Sequence, residues 1–259
     1  MVFTIDIGNS NIVLGAYRAD SLCFTARMTT STAKTEDEYA VSLKNILELY
    51  NVSPSDFEGA AISSVVPSLN NVMYNAVKKL YRCRVIVVSP GIRTGLNIML
   101  DNPAILGADL VCGAVGALKK YKPPCVIFDM GTATTASAVD KDGNFLGGSI
   151  FPGVRLSLKA LSSGTAQLPD ISLNDYNGIV IGTNTFDSMC SGIILGTAGM
   201  LDGILRRYKS ILGEETTAIA TGGLAESIVP YCENVIIHDP DLILEGLFHI
   251  YKMNTKPKK

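Results

Sequence analysis

Residues 3–15 read FTIDIGNSNIVLG, and residues 126–138 read VIFDMGTATTASA. Each is an apolar strand that closes on Asp, then a Gly two residues further on, then small hydroxyl or amide side chains, then a second apolar strand. At one constant offset Asp6 pairs with Asp129, Gly8 with Gly131 and Asn11 with Thr134. Glycine in such a turn lets backbone N–H groups approach phosphate oxygens and tolerates positive φ. A carboxylate at the strand end can hold the metal that bridges those phosphates. The recurrence therefore predicts a duplicated phosphate clamp. Asp-x-Gly-Asn taken alone also suits an ordinary hairpin turn. The second copy, with three threonines around one glycine, has a composition that no apolar core needs.

Working outward, residues 2–7, 12–18 and 21–28 alternate as three strands. Thr35 and Glu38 form a capping box ahead of a helix over 36–50, whose apolar residues recur at helical spacing. A strand at 59–64, a helix at 68–81, a strand at 84–89 and a helix at 105–121 follow. The second half repeats the plan: strands at 124–129, 134–140 and 144–151, helices at 154–162 and 185–209, strand 216–221, helix 224–231, strand 234–238 and helix 241–252. AAISSVVPS near residue 60 has a counterpart in TAIATGGLAES near 217, and VIVVSP at 85–90 one in VIIHDP at 235–240. Three matched segments in one order predict a duplicated α/β protein, each half a mixed sheet that starts with three antiparallel strands and is flanked by helices. The polar, Pro-bearing stretch at 119–124 divides the chain into domains 1–118 and 119–259, facing each other across a ligand cleft.

The composition excludes several classes. Of 259 residues, 47% are hydrophobic and 18% charged, which argues against a disordered chain. A net charge of −2 argues against a nucleic-acid partner, and the basic tail 256–259 reads as a frayed terminus. Six cysteines without a C-x-x-C pair read as reduced thiols in a cytoplasmic chain. The chain opens directly on a strand, so no signal peptide is expected, and no charge-free apolar run is long enough to span a membrane. Two histidines make a Ser-His-Asp hydrolase improbable, and neither a P-loop nor a G-x-G-x-x-G turn occurs.

Three further motifs have two readings each. Gly107-Ala108-Asp109 opens the 105–121 helix, where Asp109 either accepts a substrate hydroxyl proton or complements the helix dipole. Gly147-Gly148-Ser149-Ile150-Phe151-Pro152-Gly153 either admits another backbone closely or makes a tight strand-to-helix turn. Gly182-Thr183-Asn184-Thr185 precedes a long apolar helix, with Thr185 as its N-cap or as a ligand contact.

Taken in order, these motifs resemble the type III pantothenate kinases of the acetate and sugar kinase/Hsp70/actin superfamily. The resemblance rests on Asp6–Asn11, Asn102-Pro103, Gly107–Asp109, Asp129–Thr135, Gly147–Gly153, Leu168-Pro169 and Gly182–Thr185, over nearly the whole length. It implies two actin-like, ribonuclease H-like domains and ATP-dependent phosphorylation of pantothenate by a homodimer. By resemblance, Asp6 orients Mg²⁺–ATP, and Gly8, Asn9, Ser10, Asn11, Val13, Gly131, Thr132 and Thr134 line the nucleotide. Asp109 is the implied base, and Asp129 the implied ligand of a monovalent cation, K⁺ or NH₄⁺. Leu100, Gly107, Ala108, Leu110 and Thr185 stand at the implied pantothenate positions, Thr185 across the dimer interface. The chain departs from the family where Leu110 replaces Arg, Leu100 replaces Tyr, and Gly164 and Gln167 replace Arg and Lys.

Overall fold

Both Asp-x-Gly stretches fold as hairpins in the computed structural model, which describes residues 1–173 and 176–255. The basic tail lies outside those residues. By chain contacts the protein forms two units: residues 1–96, 101–119 and 241 onward, and residues 97–100 with 120–240.

In the first unit, β1 (Val2–Ile7), β2 (Asn11–Arg18) and β3 (Ser21–Thr29) run antiparallel. β4 (Gly59–Ser64) pairs parallel with β1, and β5 (Arg84–Val87) with β4, giving the order β3-β2-β1-β4-β5. The expected capping box starts α1 (Glu36–Leu49): Thr35 Oγ1 accepts from the Glu38 N–H, and the Glu38 carboxylate accepts from the Thr35 N–H at 2.8 Å. α2 (Pro67–Leu80) begins on a proline, which lacks the N–H that a first turn leaves unpaired. Phe3, Ile5 and Ile7 alternate onto one sheet face and join Leu43, Leu47, Leu69 and Met73 in a core. Each such side chain contributes about 1.5–3 kcal/mol. α3 (Ala108–Lys120) follows a single 3₁₀ turn at Pro103–Ile105.

The second unit opens on a short strand that the sequence does not announce, β6 (Asn97–Ile98), which pairs parallel with β9. β7 (Cys125–Met130), β8 (Ala133–Val139) and β9 (Asn144–Pro152) are antiparallel, β10 (Thr217–Thr221) pairs parallel with β7, and β11 (Ile237–His238) with β10. The order is β11-β10-β7-β8-β9-β6. α4 (Val154–Gly164), α5 (Thr185–Leu212) and α6 (Ala225–Ile228) cover Val126, Phe128 and Met130. α6 stops before the expected end at 231 because Pro230 forces the tighter Val229–Tyr231 turn. α5 is the one helix among the described residues long and apolar enough to cross a membrane, and it buries Ile193, Ile194, Ala198, Leu201 and Leu205 in this core.

The duplication is visible strand by strand, since β3-β2-β1-β4-β5 matches β9-β8-β7-β10-β11. β1 and β7 share one burial pattern, with five buried positions around a partly exposed Asp. The constant offset expected through the hairpin does not hold. Ile7 pairs with Ile12 across residues 8–11, whereas Met130 pairs with Thr134 across residues 131–133. The second turn is one residue shorter, so Asn11 corresponds to Ala133 and the buried Ile12 to the buried Thr134.

The last helix, α7 (Leu242–Thr255), belongs to the first unit rather than to a domain 119–259. Its Leu244 meets Gly15, beside Thr4 on the sheet face opposite the Phe3–Ile7 core, and its Phe248 stacks on Tyr17 at 4.4 Å. The expected boundary near 119 marks where the chain leaves the first unit, and the chain returns there at 241.

Candidate active site

Asp6, next to last in β1, is in register with Val13 on β2 and Ser63 on β4. Neighbours in register share a sheet face, so an apolar side chain stands on one side of the carboxylate and a hydroxyl on the other. Removal from water pushes the Asp6 carboxyl up to about 7; the Ser63 hydroxyl pulls it down, and the charge of Asp109 adds to the rise. Asp6 and Asp109 are therefore close enough to repel.

Asp109 lies in the first turn of α3. Its Oδ1 accepts from the Leu110 N–H at 2.8 Å, and a Cβ on Gly107 would sit 2.5 Å from that same oxygen. Gly107 thus leaves the space the carboxylate occupies, Ala108 heads the helix, and Leu110 contributes its backbone. Desolvation raises the Asp109 carboxyl above the usual range despite the N–H bond. A carboxylate there only to complement a helix dipole would face water and be held down.

The turn at 8–11 closes with the Gly8 N–H donating to Asn11 O at 3.0 Å, leaving Asn9, Ser10 and Asn11 exposed. Neither Gly8 nor Gly131 has a positive φ, so conformational freedom is not why glycine stands there. A Cβ on Gly131 would find its nearest atom at 3.5 Å, so the glycine keeps the turn surface bare.

In the second unit Asp129 is next to last in β7, with Thr135 and Thr221 beside it in register. Thr132 is exposed on the turn, whereas Thr134 faces the core at 1% exposure, where its hydroxyl meets no partner. Both readings of residues 147–153 hold: β9 passes into α4 across the single residue Gly153, and a Cβ on Gly148 would lie 2.1 Å from Ala136 O. Gly153 N–H donates to Thr132 O at 3.1 Å, and a Cβ there would lie 2.3 Å from that oxygen. The sequence does not single out Gly153 for this brace, nor Thr30, which occupies the equivalent position after β3. The signal was available in the repeat, because Asn11 pairs with Thr29 as Ala133 pairs with Pro152.

Thr185 is not the cap of α5. Asn184 takes that position, its Oδ1 accepting from the Asp187 N–H at 2.9 Å, because a side-chain amide oxygen caps at least as well as threonine. Thr185 is exposed in a groove of about 790 Å³ with Leu161, Leu168, Met189 and Ile193. Leu100 is half-buried against Gly147 of β9. The structure thus gathers Asp6, residues 8–11, Val13 and residues 107–110 in the first unit, and Asp129, Gly131 and Thr132 in the second, with Thr185 in a groove of its own.

The family model for type III pantothenate kinase matches residues 2–207, through both Asp-x-Gly turns and Asp109. The chain belongs to the type III pantothenate kinase family. A type III pantothenate kinase from Bacillus cytotoxicus is 41% identical over 255 residues, covering 98% of this chain and 97% of the relative. Among solved structures, a Campylobacter jejuni protein described as a Baf family transcriptional activator is similar at TM-score 0.62 and 19% identity, covering 97% and 98% of the two chains. A Sinorhizobium meliloti protein described as a 2-dehydro-3-deoxygalactonokinase is similar at TM-score 0.59 and 11% identity, covering 100% and 98%. At those identities the two structures speak for the fold alone.

Proposed function

We propose that this chain transfers the γ-phosphoryl of ATP to the hydroxyl of pantothenate, giving 4′-phosphopantothenate in the first step of coenzyme A biosynthesis. The observation that carries the reading is the family match running unbroken through Asp6, Asp109 and Asp129. Asp6 suits the Mg²⁺ that accompanies ATP, because a carboxylate shielded from water, with its carboxyl at about 7, gains from a cation. When bound, that ion neutralises charge on the transferring phosphoryl group. Gly8, Asn9, Ser10, Asn11 and Val13 line the phosphates, with Gly131 and Thr132 as further nucleotide positions; Thr134, turned into the core, is not one of them.

Asp109 takes the hydroxyl proton. With Oδ1 engaged by the Leu110 N–H, Oδ2 is the oxygen offered to substrate. Its raised carboxyl makes it a stronger base than an exposed aspartate. Asp129, with the Thr135 and Thr221 hydroxyls beside it, holds a monovalent cation, K⁺ or NH₄⁺. Thr185 and its groove serve pantothenate in a homodimer. The six cysteines, none in a C-x-x-C pair, suit the cytoplasm.

The test is ADP release by purified protein with pantothenate, with K⁺ present or replaced by Na⁺. Pantothenate-dependent turnover that rises with K⁺ is expected. Inert pantothenate beside another active small hydroxy acid would instead support a shifted acceptor, a reading that the apolar Leu100 and Leu110 favour. Full rate in Na⁺ would remove the cation role from Asp129.

A further inference from the structure

The four-residue turn at 8–11 is held from behind by the residue that follows β3. Thr30, immediately after β3, donates its Oγ1–H to Gly8 O at 2.7 Å and its N–H to Ser10 O at 3.1 Å. Thr30 is itself fixed. The next residue, Ser31, donates its N–H to the Tyr39 hydroxyl at 3.0 Å and accepts that hydroxyl's proton on its carbonyl at 2.8 Å. Tyr39 is 0% exposed, on the face of α1 that is buried in the core. A chain of hydrogen bonds therefore runs from the core, through Ser31 and Thr30, to alternate carbonyls of the turn.

A trans peptide is planar, with the N–H pointing opposite to the preceding C=O. Holding the Gly8 carbonyl against Thr30 turns the Asn9 N–H the other way, and holding the Ser10 carbonyl does the same for the Asn11 N–H. Carbonyls inward and N–H groups outward is the polarity an anion requires. The equivalent brace in the second hairpin is one backbone bond, Gly153 N–H to Thr132 O, on a shorter turn. The first turn is one residue longer and has more freedom to lose, and there the bracing position carries a side-chain donor as well.

We propose that Thr30 is a positioning residue for ATP, its hydroxyl and N–H fixing the 8–11 turn so that the Asn9 and Asn11 N–H groups meet the phosphates. This rests on the reading of that turn as the phosphate loop. The experiment is calorimetric titration of Mg·ATP into the full-length protein, with KM for both substrates, for Thr30→Val, Thr30→Ser, Tyr39→Phe and, as a surface control, Thr29→Val. Val matches Thr in shape and lacks the donor; Ser keeps the donor.

Thr30→Val is expected to raise the Kd and KM for ATP about fivefold, the value of one neutral hydrogen bond. Thr30→Ser and Thr29→Val are expected to stay within about twofold of wild type, and Tyr39→Phe to show a smaller rise of the same kind. KM for pantothenate should not follow. The proposal is overturned if Thr30→Val leaves ATP affinity unchanged, if Ser fails to rescue it, or if both KM values rise together with a lowered unfolding midpoint. If wild type binds ATP and leaves pantothenate untouched, the pantothenate reading falls while the titrations still decide Thr30.

Discussion

Asp109 is held by its neighbours in a way that an amide could copy and a proton acceptor could not. The Leu110 N–H and the space left by Gly107 fix one oxygen, and both survive in Asp109→Asn. That variant should bind ATP within about twofold of wild type and lose about two or more orders of magnitude in kcat. Calorimetry and steady-state rates read the two separately, and near-normal turnover would remove Asp109 from the base role. Asp6 has a different signature. Its folded-state carboxyl, at about 7, lies above its unfolded value of 3.8, so between these two pH values the folded state binds the extra proton. Linkage then makes stability fall as pH rises from about 4 to about 7 and level off above, by at most about 4 kcal/mol. Asp6→Asn should remove that slope in the protein without nucleotide. Urea unfolding at pH 5, 6 and 8 should show the variant gaining on wild type as pH rises, and parallel curves would contradict the assignment.

At the scale of elements, both hairpin turns are braced by the residue that follows the third strand, Thr30 in one unit and Gly153 in the other. In the second hairpin the brace is Gly153, where a methyl group would sit 2.3 Å from Thr132 O and 2.5 Å from Gly131 O. Both contacts are backbone, so the turn itself must move. Gly153→Ala should cost about 1–3 kcal/mol and weaken ATP binding, whereas Gly164→Ala, with open space around it, should do neither. Thermal unfolding and ATP titration check both, and an unperturbed Gly153→Ala would show that the turn is not held there. The hairpins, the three-strand starts and α1 were legible because period-two alternation, a repeated Asp-x-Gly and a capping box are local signals. The one-residue shortening of the second turn was not, because GTATT can close over three or four residues and only the pairing of Met130 with Thr134 decides. The cap of α5 was misplaced by one residue because Asn184 and Thr185 are both capping types. Asp6, Asp109 and Asp129 are singled out as candidates by their motifs, but Thr30 is not, since its contacts are with a turn some twenty residues earlier.

At the scale of the molecule, the duplication hides an unequal division of helices. α3 follows β5 as α7 follows β11, yet both equivalents pack in the first unit. They meet where each has a glycine: a Cβ on Gly116 would lie 2.2 Å from Leu242 O, and one on Gly246 would lie 1.8 Å from Cys112 O. No periodicity in residues 241–252 reveals which sheet that helix covers, because an amphipathic stripe fits either. The energetics make the consequence testable. α7 buries Leu242, Leu244, Leu247, Phe248 and Ile250, together worth roughly 10 kcal/mol or somewhat less against a compact unfolded chain. Whole domains have net stabilities of about 5–15 kcal/mol, so the first unit should not survive without this helix. A fragment of residues 1–118 is expected to bind a hydrophobic dye and melt without a cooperative transition. Residues 1–119 joined to 241–255 through a flexible linker of about six residues should melt cooperatively, because Gly116 and Leu242 already lie in contact. Circular dichroism melts of the two fragments decide the matter: a sharp transition in residues 1–118 alone would mean that α7 lies against the sheet without holding it together.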